Sequence, residues 1–106
     1  MHAARQSVFS GLGSDTYIVG TAGPYQIVAK TTDLPPSGLT LTIAQTGSVS
    51  LSTSVTSGNV QNHIECNLKM NCAAGDTLTV TLASSAAADQ PPNMIKTTID
   101  LKQGAY

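Results

Sequence analysis

Between Asn62 and Leu82 two runs of alternating residues, NHIECNLKM and TLTVTLA, flank one short break, NCAAGD. In the first run Ile64, Cys66, Leu68 and Met70 share one side, with His63, Glu65, Asn67 and Lys69 on the other. In the second, Leu78, Val80 and Leu82 alternate with Thr77, Thr79 and Thr81. Successive side chains of a β-strand point to opposite faces, so a period of two gives each run one dry face and one wet face. A chain patterned this way must build strands and cover their dry sides with a second layer. The Gly and Asp within residues 71–76 suit a reversal, which predicts a hairpin joining the two runs.

The same alternation recurs along the chain. Tyr17 to Val19 makes a short strand, closed by Gly20 to Pro24. Tyr25, Ile27 and Ala29 alternate with Gln26, Val28 and Lys30. Pro35 and Pro36 then exclude a central strand, since proline cannot donate to a ladder. Leu39, Leu41 and Ile43 carry the next strand, and Val49, Leu51, Thr53 and Val55 the one after it, with serines outside. Ser57-Gly58-Asn59 turns the chain again, and Ile95, Thr97, Ile99 and Leu101 share the face of a last strand. Seven to eight short strands separated by Gly, Pro, Asn and Ser predict an all-β, antiparallel β-sandwich.

The chain has 106 residues, the size of one domain. Charged residues make up 10% of it, against roughly 25% in an average soluble domain. Ser and Thr take their place at about a quarter of positions, and thronged hydroxyls keep strand surfaces wettable. With one Phe, three Tyr and no Trp, the core falls to Ile, Leu and Val. A net charge of −1, with Arg5, Lys30, Lys69, Lys96 and Lys102 scattered, lacks the basic patch that nucleic-acid binding requires. So few charges fit either a small protein solubilised by hydroxyls or a subunit covered by neighbours, because interface centres are depleted of charge. The second reading is favoured.

No stretch has the length and apolarity of a membrane span, and the opening residues lack the apolar core of a signal peptide, so no membrane partner and no secretion by that route are expected. Cys66 and Cys72 are too far apart along an extended strand for a disulfide. Two free thiols, suited to a reducing cytoplasm, are expected, and no zinc site.

Two segments stand apart from the strands. Residues 1–14 are rich in Ala, Ser and Gly and carry Val8, Phe9 and Leu12. They read either as a disordered terminus or as an arm docking on a neighbour through Phe9, ahead of a single domain over 15–106. On the arm reading their removal would leave the domain folded and cost it its docking. Residues 84–93 end in Gln90, Pro91, Pro92 and Asn93 and read as a long loop, where contacts concentrate. Val8, Phe9, Leu12, Gln90, Pro91, Pro92 and Asn93 are therefore the candidate assembly contacts.

Chemistry finds little to work with. His63 and Glu65 share a strand face but lack a third ligand, so the pair reads as a solvent-facing polar strand, and His2 has no partner in the pattern. No serine has a nucleophile-elbow context, and no glycine motif cradles phosphate. Asp15, Asp33, Asp76 and Asp89 fall at turn positions, where Asp caps backbone. No enzyme, no metal and no cofactor are expected.

The order NHIECNLKM, CAAGD, TLTVTLA, long loop, IKTTIDL resembles the closing strands of small jelly-roll modules of the tumour-necrosis-factor and C1q-like kind, over roughly residues 62–104. The Ser/Thr-rich, charge-poor composition resembles the small decoration or cement proteins of tailed-bacteriophage capsids. That resemblance implies a jelly-roll subunit, a homotrimer in the virion, gripping the major capsid protein or other virion subunits. The alternative is a phage tail or host-recognition module holding a carbohydrate or cell-surface ligand on its hydroxyl-rich faces, for which Tyr17, Tyr25 and Tyr106 are the available aromatic platforms.

Overall fold

A computed structural model describes residues 4–10, 12–32, 39–56, 63–84 and 96–103. Alternation becomes eight strands: β1 (Ala4–Ser10), β2 (Gly13–Ile18), β3 (Gly23–Thr32), β4 (Leu39–Thr46), β5 (Leu51–Thr56), β6 (His63–Cys72), β7 (Thr77–Ser84) and β8 (Lys96–Gln103). They form two four-stranded sheets, ordered β1-β8-β3-β6 and β2-β7-β4-β5, with every pair antiparallel. This is the jelly-roll sandwich.

The dry faces meet between the sheets. Tyr25, Ile27 and Ala29 of β3 are buried with Leu39, Leu41 and Ile43 of β4 and Leu78, Val80 and Leu82 of β7. Both central pairs are buried residue for residue at every second position, as the period of two requires. Two polar side chains enter this core already paired: the hydroxyls of Thr31 and Thr97 lie 2.9 Å apart, each fully buried. Pro24 stands near the start of β3, opposite Asn71 of β6, and the described pairing with β8 begins one residue later at Tyr25.

Two expectations change. The alternating runs on either side of NCAAGD do not pair with each other. β6 joins β3 in one sheet, whereas β7 joins β2 and β4 in the other. The break is thus an arch between layers instead of a hairpin within one. The alternation permits both, because either arrangement points Met70 and Leu78 into the same core. The arm is the second change. Residues 4–10 form β1, paired along its length with β8, and half-buried Phe9 packs on the core. Phe9 is held inside the sandwich because Thr97, its register partner, faces inward.

Truncation separates an arm from a strand. Deleting residues 1–10 should abolish or strongly lower the cooperative urea transition. Phe9→Ala alone should cost about 2 kcal/mol, below the figure for a fully buried ring. An unchanged transition in the truncated chain would mean that β1 contributes nothing to the fold.

Candidate functional site

One end of the sandwich is tied together by Asp76, which is 3% exposed. Its Oδ1 accepts the Ser48 backbone N–H at 2.8 Å. Its Oδ2 accepts the Ser48 hydroxyl at 2.7 Å, the Ala73 backbone N–H at 2.9 Å and the Gln45 side-chain amide at 3.1 Å. The backbone of Asp76 joins in: its carbonyl accepts from the Val19 N–H at 2.8 Å, and Gly75 N–H donates to the Val19 carbonyl at 2.8 Å. One residue therefore links the exits of β2 and β4 to the β6–β7 arch. Donors converging on a carboxylate favour its charged form, so Asp76 is held well below the ordinary carboxylate range, chiefly by the backbone N–H and hydroxyl of Ser48.

Local sequence explains the closeness. Gly75 holds φ at +94° as the third residue of the turn in which Asp76 N–H donates to Ala73 carbonyl at 3.1 Å. Gly47 has φ +131°, and a Cβ there would come within 3.1 Å of Asp76 Cα and closer still to its carboxylate. Gln45 is fully buried beside Cys72, and its Oε1 has no hydrogen-bond partner among the described residues. Burial and the neighbouring Asp76 charge push the Cys72 thiol up to about 11, so it stays a protonated, unreactive group. Cys66 is buried too, its thiol 3.7 Å from the Thr53 carbonyl across the layers, and both cysteines are free. The carboxylate is engaged by structure, one donor on Oδ1 and three on Oδ2.

The two outer faces divide the surface charge between them. On the β1-β8-β3-β6 sheet, Lys30, Glu65, Lys69, Lys96, Asp100 and Lys102 point outward. On the β2-β7-β4-β5 sheet the outward positions hold Ser, Thr, Ala and Ile18, and none is charged. Many of these hydroxyls satisfy each other across strands: Thr46 with Thr77 at 2.8 Å, Thr40 with Thr56 at 3.1 Å and Thr16 with Thr79 at 3.2 Å. Hydroxyls paired in this way lean less on water, so the sheet is drier than its composition suggests. Ile18, 67% exposed, stands on it.

The expected site residues scatter. Val8 is 61% exposed on the charged face, Leu12 lies exposed between β1 and β2, and Phe9 is in the core. Gln90, Pro91, Pro92 and Asn93 lie outside the described residues, as do Asp33, Asp89, His2 and Tyr106. His63 stands opposite Thr32 in the register, and Glu65 stands opposite Lys30 with both of that pair exposed. Among the described residues no cluster of three His, Cys, Asp or Glu could hold a metal. Asp15, expected at a turn, lies within β2, where Ser7 Oγ donates to its Oδ2 at 2.8 Å in a small cleft lined also by Tyr17, Ile27 and Leu101. Tyr25 is buried, its hydroxyl donating to the Thr21 carbonyl at 2.6 Å, and Tyr17 is half-buried with its ring 6.4 Å away. Neither is an open platform for a sugar.

No family model matches the sequence, and no curated protein does. Solved structures share the fold. The globular domain of zebrafish complement 1qA superposes with a TM-score of 0.66 at 15% identity, over 85% of this chain and 69% of that one. PRD1 vertex protein P5 superposes at 0.63 and 16% identity, over 85% of this chain and 65% of that one. The C-terminal domain of A223, a structural protein of Sulfolobus turreted icosahedral virus, matches at 0.44 and 20% identity, over 97% of this chain and all of that one. At these identities the first two likenesses establish the jelly-roll fold alone.

The Asp76 knot has a pH signature. Its folded carboxyl titrates below the ordinary 3.8, so its stabilisation is complete above that value and drains as pH falls toward the folded pKa. Asp76→Asn should melt well below the parent protein at pH 7, with the gap closing under acid. A gap that is constant from pH 7 to pH 2 would show that the charge is irrelevant.

Proposed function

We propose that this chain is a virion structural protein, a capsid decoration or cement subunit of a tailed bacteriophage. It binds the capsid surface and stabilises it by non-covalent burial between subunits. Its partners are the major capsid protein or other virion subunits and further copies of itself in a homotrimer. The observation that carries this reading is the uncharged, hydroxyl-paired outer face of the β2-β7-β4-β5 sheet. Covering that face strips water from no charge, and its paired hydroxyls keep their hydrogen bonds when water leaves. Each Å² of apolar surface covered there contributes roughly 25 cal/mol. The opposite sheet, carrying Lys30, Lys69, Lys96 and Lys102, would pay the desolvation cost and is assigned to solvent.

The fold suits that setting, since the PRD1 vertex protein also carries it. Leu12, exposed beyond the charged sheet, is available for contact, whereas Val8 stands on the face assigned to solvent; the sequence adds the segment Gln90 to Asn93. The work needs no catalytic group. The carbohydrate-binding alternative rests on the hydroxyl-rich faces, but sugar sites usually add an aromatic platform, and among the described residues no aromatic ring is exposed.

Charge placed on the dry face tests the reading. The parent chain should sediment at three times its 10.9 kDa mass and co-sediment with phage capsid shells. The double variant Thr42→Lys, Thr79→Lys should lose both properties with its melting temperature kept, while Thr98→Lys on the charged sheet should lose neither. A parent chain that stays a single copy and ignores shells would sink the proposal, and a specific glycan-array hit would replace it with the alternative.

A further inference from the structure

A sheet edge offers unpaired main-chain N–H and C=O groups to any strand that approaches, and soluble proteins usually guard it with charge or proline. Among the described residues the four edge strands are β1, β6, β2 and β5. β1 carries Arg5, β2 carries Asp15, and β6 carries Glu65 and Lys69. β5, Leu51-Ser-Thr-Ser-Val-Thr56, carries neither charge nor proline. It lies in a stretch, Leu34 to Ile64, without a single Asp, Glu, Lys or Arg. At its start Leu51 is 41% exposed although its register partner Gln45 is fully buried.

The hydrogen-bond phase of this edge follows from the far side of the sheet. Val19 N–H donates to the Asp76 carbonyl, one step beyond the Ile18–Thr77 register pair. Hydrogen-bonded pairs alternate in an antiparallel ladder, so Leu78, Val80 and Leu82 bond toward β2. Thr77, Thr79 and Thr81 then bond toward β4, and Leu41, Ile43 and Gln45 of β4 bond toward β5. Leu51, Thr53 and Val55 are thereby used. Ser52, Ser54 and Thr56 send their N–H and C=O outward.

We propose that β5 is a self-pairing edge: two copies of this chain join antiparallel through β5, related by a two-fold axis at Thr53, making one continuous eight-stranded sheet. In this register Leu51 faces Val55 of the second copy on the inner side, and Thr53 faces Thr53. Ser52 faces Ser54 of the second copy on the outer side. Apolar meets apolar and hydroxyl meets hydroxyl. The exposed Leu51 gains the cover it lacks, and each Ser52–Ser54 pair exchanges two main-chain hydrogen bonds through the groups that point outward. Shifting by one step on either axis puts Thr53 against Leu51 or Val55 and breaks that match. The second copy is the fitting occupant because the strand is neutral and complementary to itself, as a two-fold contact requires. The hydroxyl-covered face runs unbroken across the seam. This contact goes beyond the virion reading and does not depend on it; where trimers form, it joins a chain of one trimer to a chain of the next.

Register-specific cross-linking tests the proposal. A hydrogen-bonded antiparallel pair has its Cα atoms about 5.5 Å apart, inside disulfide range, whereas the diagonal neighbours lie at about 7–8 Å, outside it. Ser52→Cys and Ser54→Cys chains, mixed and oxidised, should give a dimer joined between positions 52 and 54 by peptide mapping, and either variant alone should stay at background. Adding Leu51→Lys to both chains should remove the dimer while leaving the melting temperature near the parent value. No dimer in the mixture, equal dimer in either variant alone, or a yield indifferent to the lysine would each overturn the proposal. Should the lysine variant fail to fold, the comparison of mixed with single variants decides alone.

Discussion

A single carboxylate, that of Asp76, governs how the chain passes between its two sheets at the described end of the sandwich. A two-layer stack of strands is held along its middle by apolar burial, but burial has no direction and does not align strand ends. At that end β2, β4 and β6 finish, and Asp76 meets the backbone or side chain that follows each of them. Its negative charge could not be buried without donors, and the three converging segments could not leave their N–H groups bare. Each requirement satisfies the other. Gly47 and Gly75 follow from this arrangement, one because the carboxylate crowds it and the other because the arch turns there.

That tie also makes the division of surface possible. With the arch fixed, β6 is committed to one sheet and β7 to the other, so the outer residues of the two runs land on opposite sides of the molecule. The run holding Glu65 and Lys69 joins Lys30, Lys96 and Lys102, and the run holding Thr77, Thr79 and Thr81 joins Thr40, Thr42 and Thr46. Had the same two runs formed a hairpin, lysines and threonines would have alternated across a single face. A protein 10% charged would then have had its charges interleaved with its threonines. The arch concentrates its charge on one side.

Much of this could be read from residues alone, and the failures have physical causes. Period-two patterning found the inward residues of β3, β4, β6, β7 and β8, because burial on one face leaves a trace at every second position. It could not choose between hairpin and arch, since strand pairing is set by partners far along the chain and the pattern is identical in both. β1 was hidden because an edge strand is covered on fewer sides: Ser7 and Phe9 point inward, yet both are only half-buried and the strand reads as small and polar. The capping role of Asp76 was legible from its turn, but the role of Gln45 was not. A buried glutamine in an alternating strand looks like one more wet residue until its amide is found against Asn71 carbonyl at 2.9 Å. Asp15 misled for the opposite reason, being an acid that faces the core side of a strand with Ser7 as its donor.

Magnitudes decide how the dry face and the bare edge work together. The outward groups of Ser52 and Ser54 supply four main-chain hydrogen bonds across a two-fold seam, each worth about 0.5–1.5 kcal/mol net. Association costs roughly 4–15 kcal/mol in lost freedom, so those bonds alone leave a lone pair of chains weakly joined. A face that buries apolar surface without stripping charge supplies the remainder. Once copies are gathered through their faces, each further edge contact forms at a high effective concentration and escapes most of that cost. Weak edges are then an advantage, because a strong neutral edge would join chains before their faces had met, with no fixed number of copies. On this account the neutrality of β5 and the neutrality of the threonine face are one feature of the chain, divided between a surface that gathers subunits and a seam that extends them.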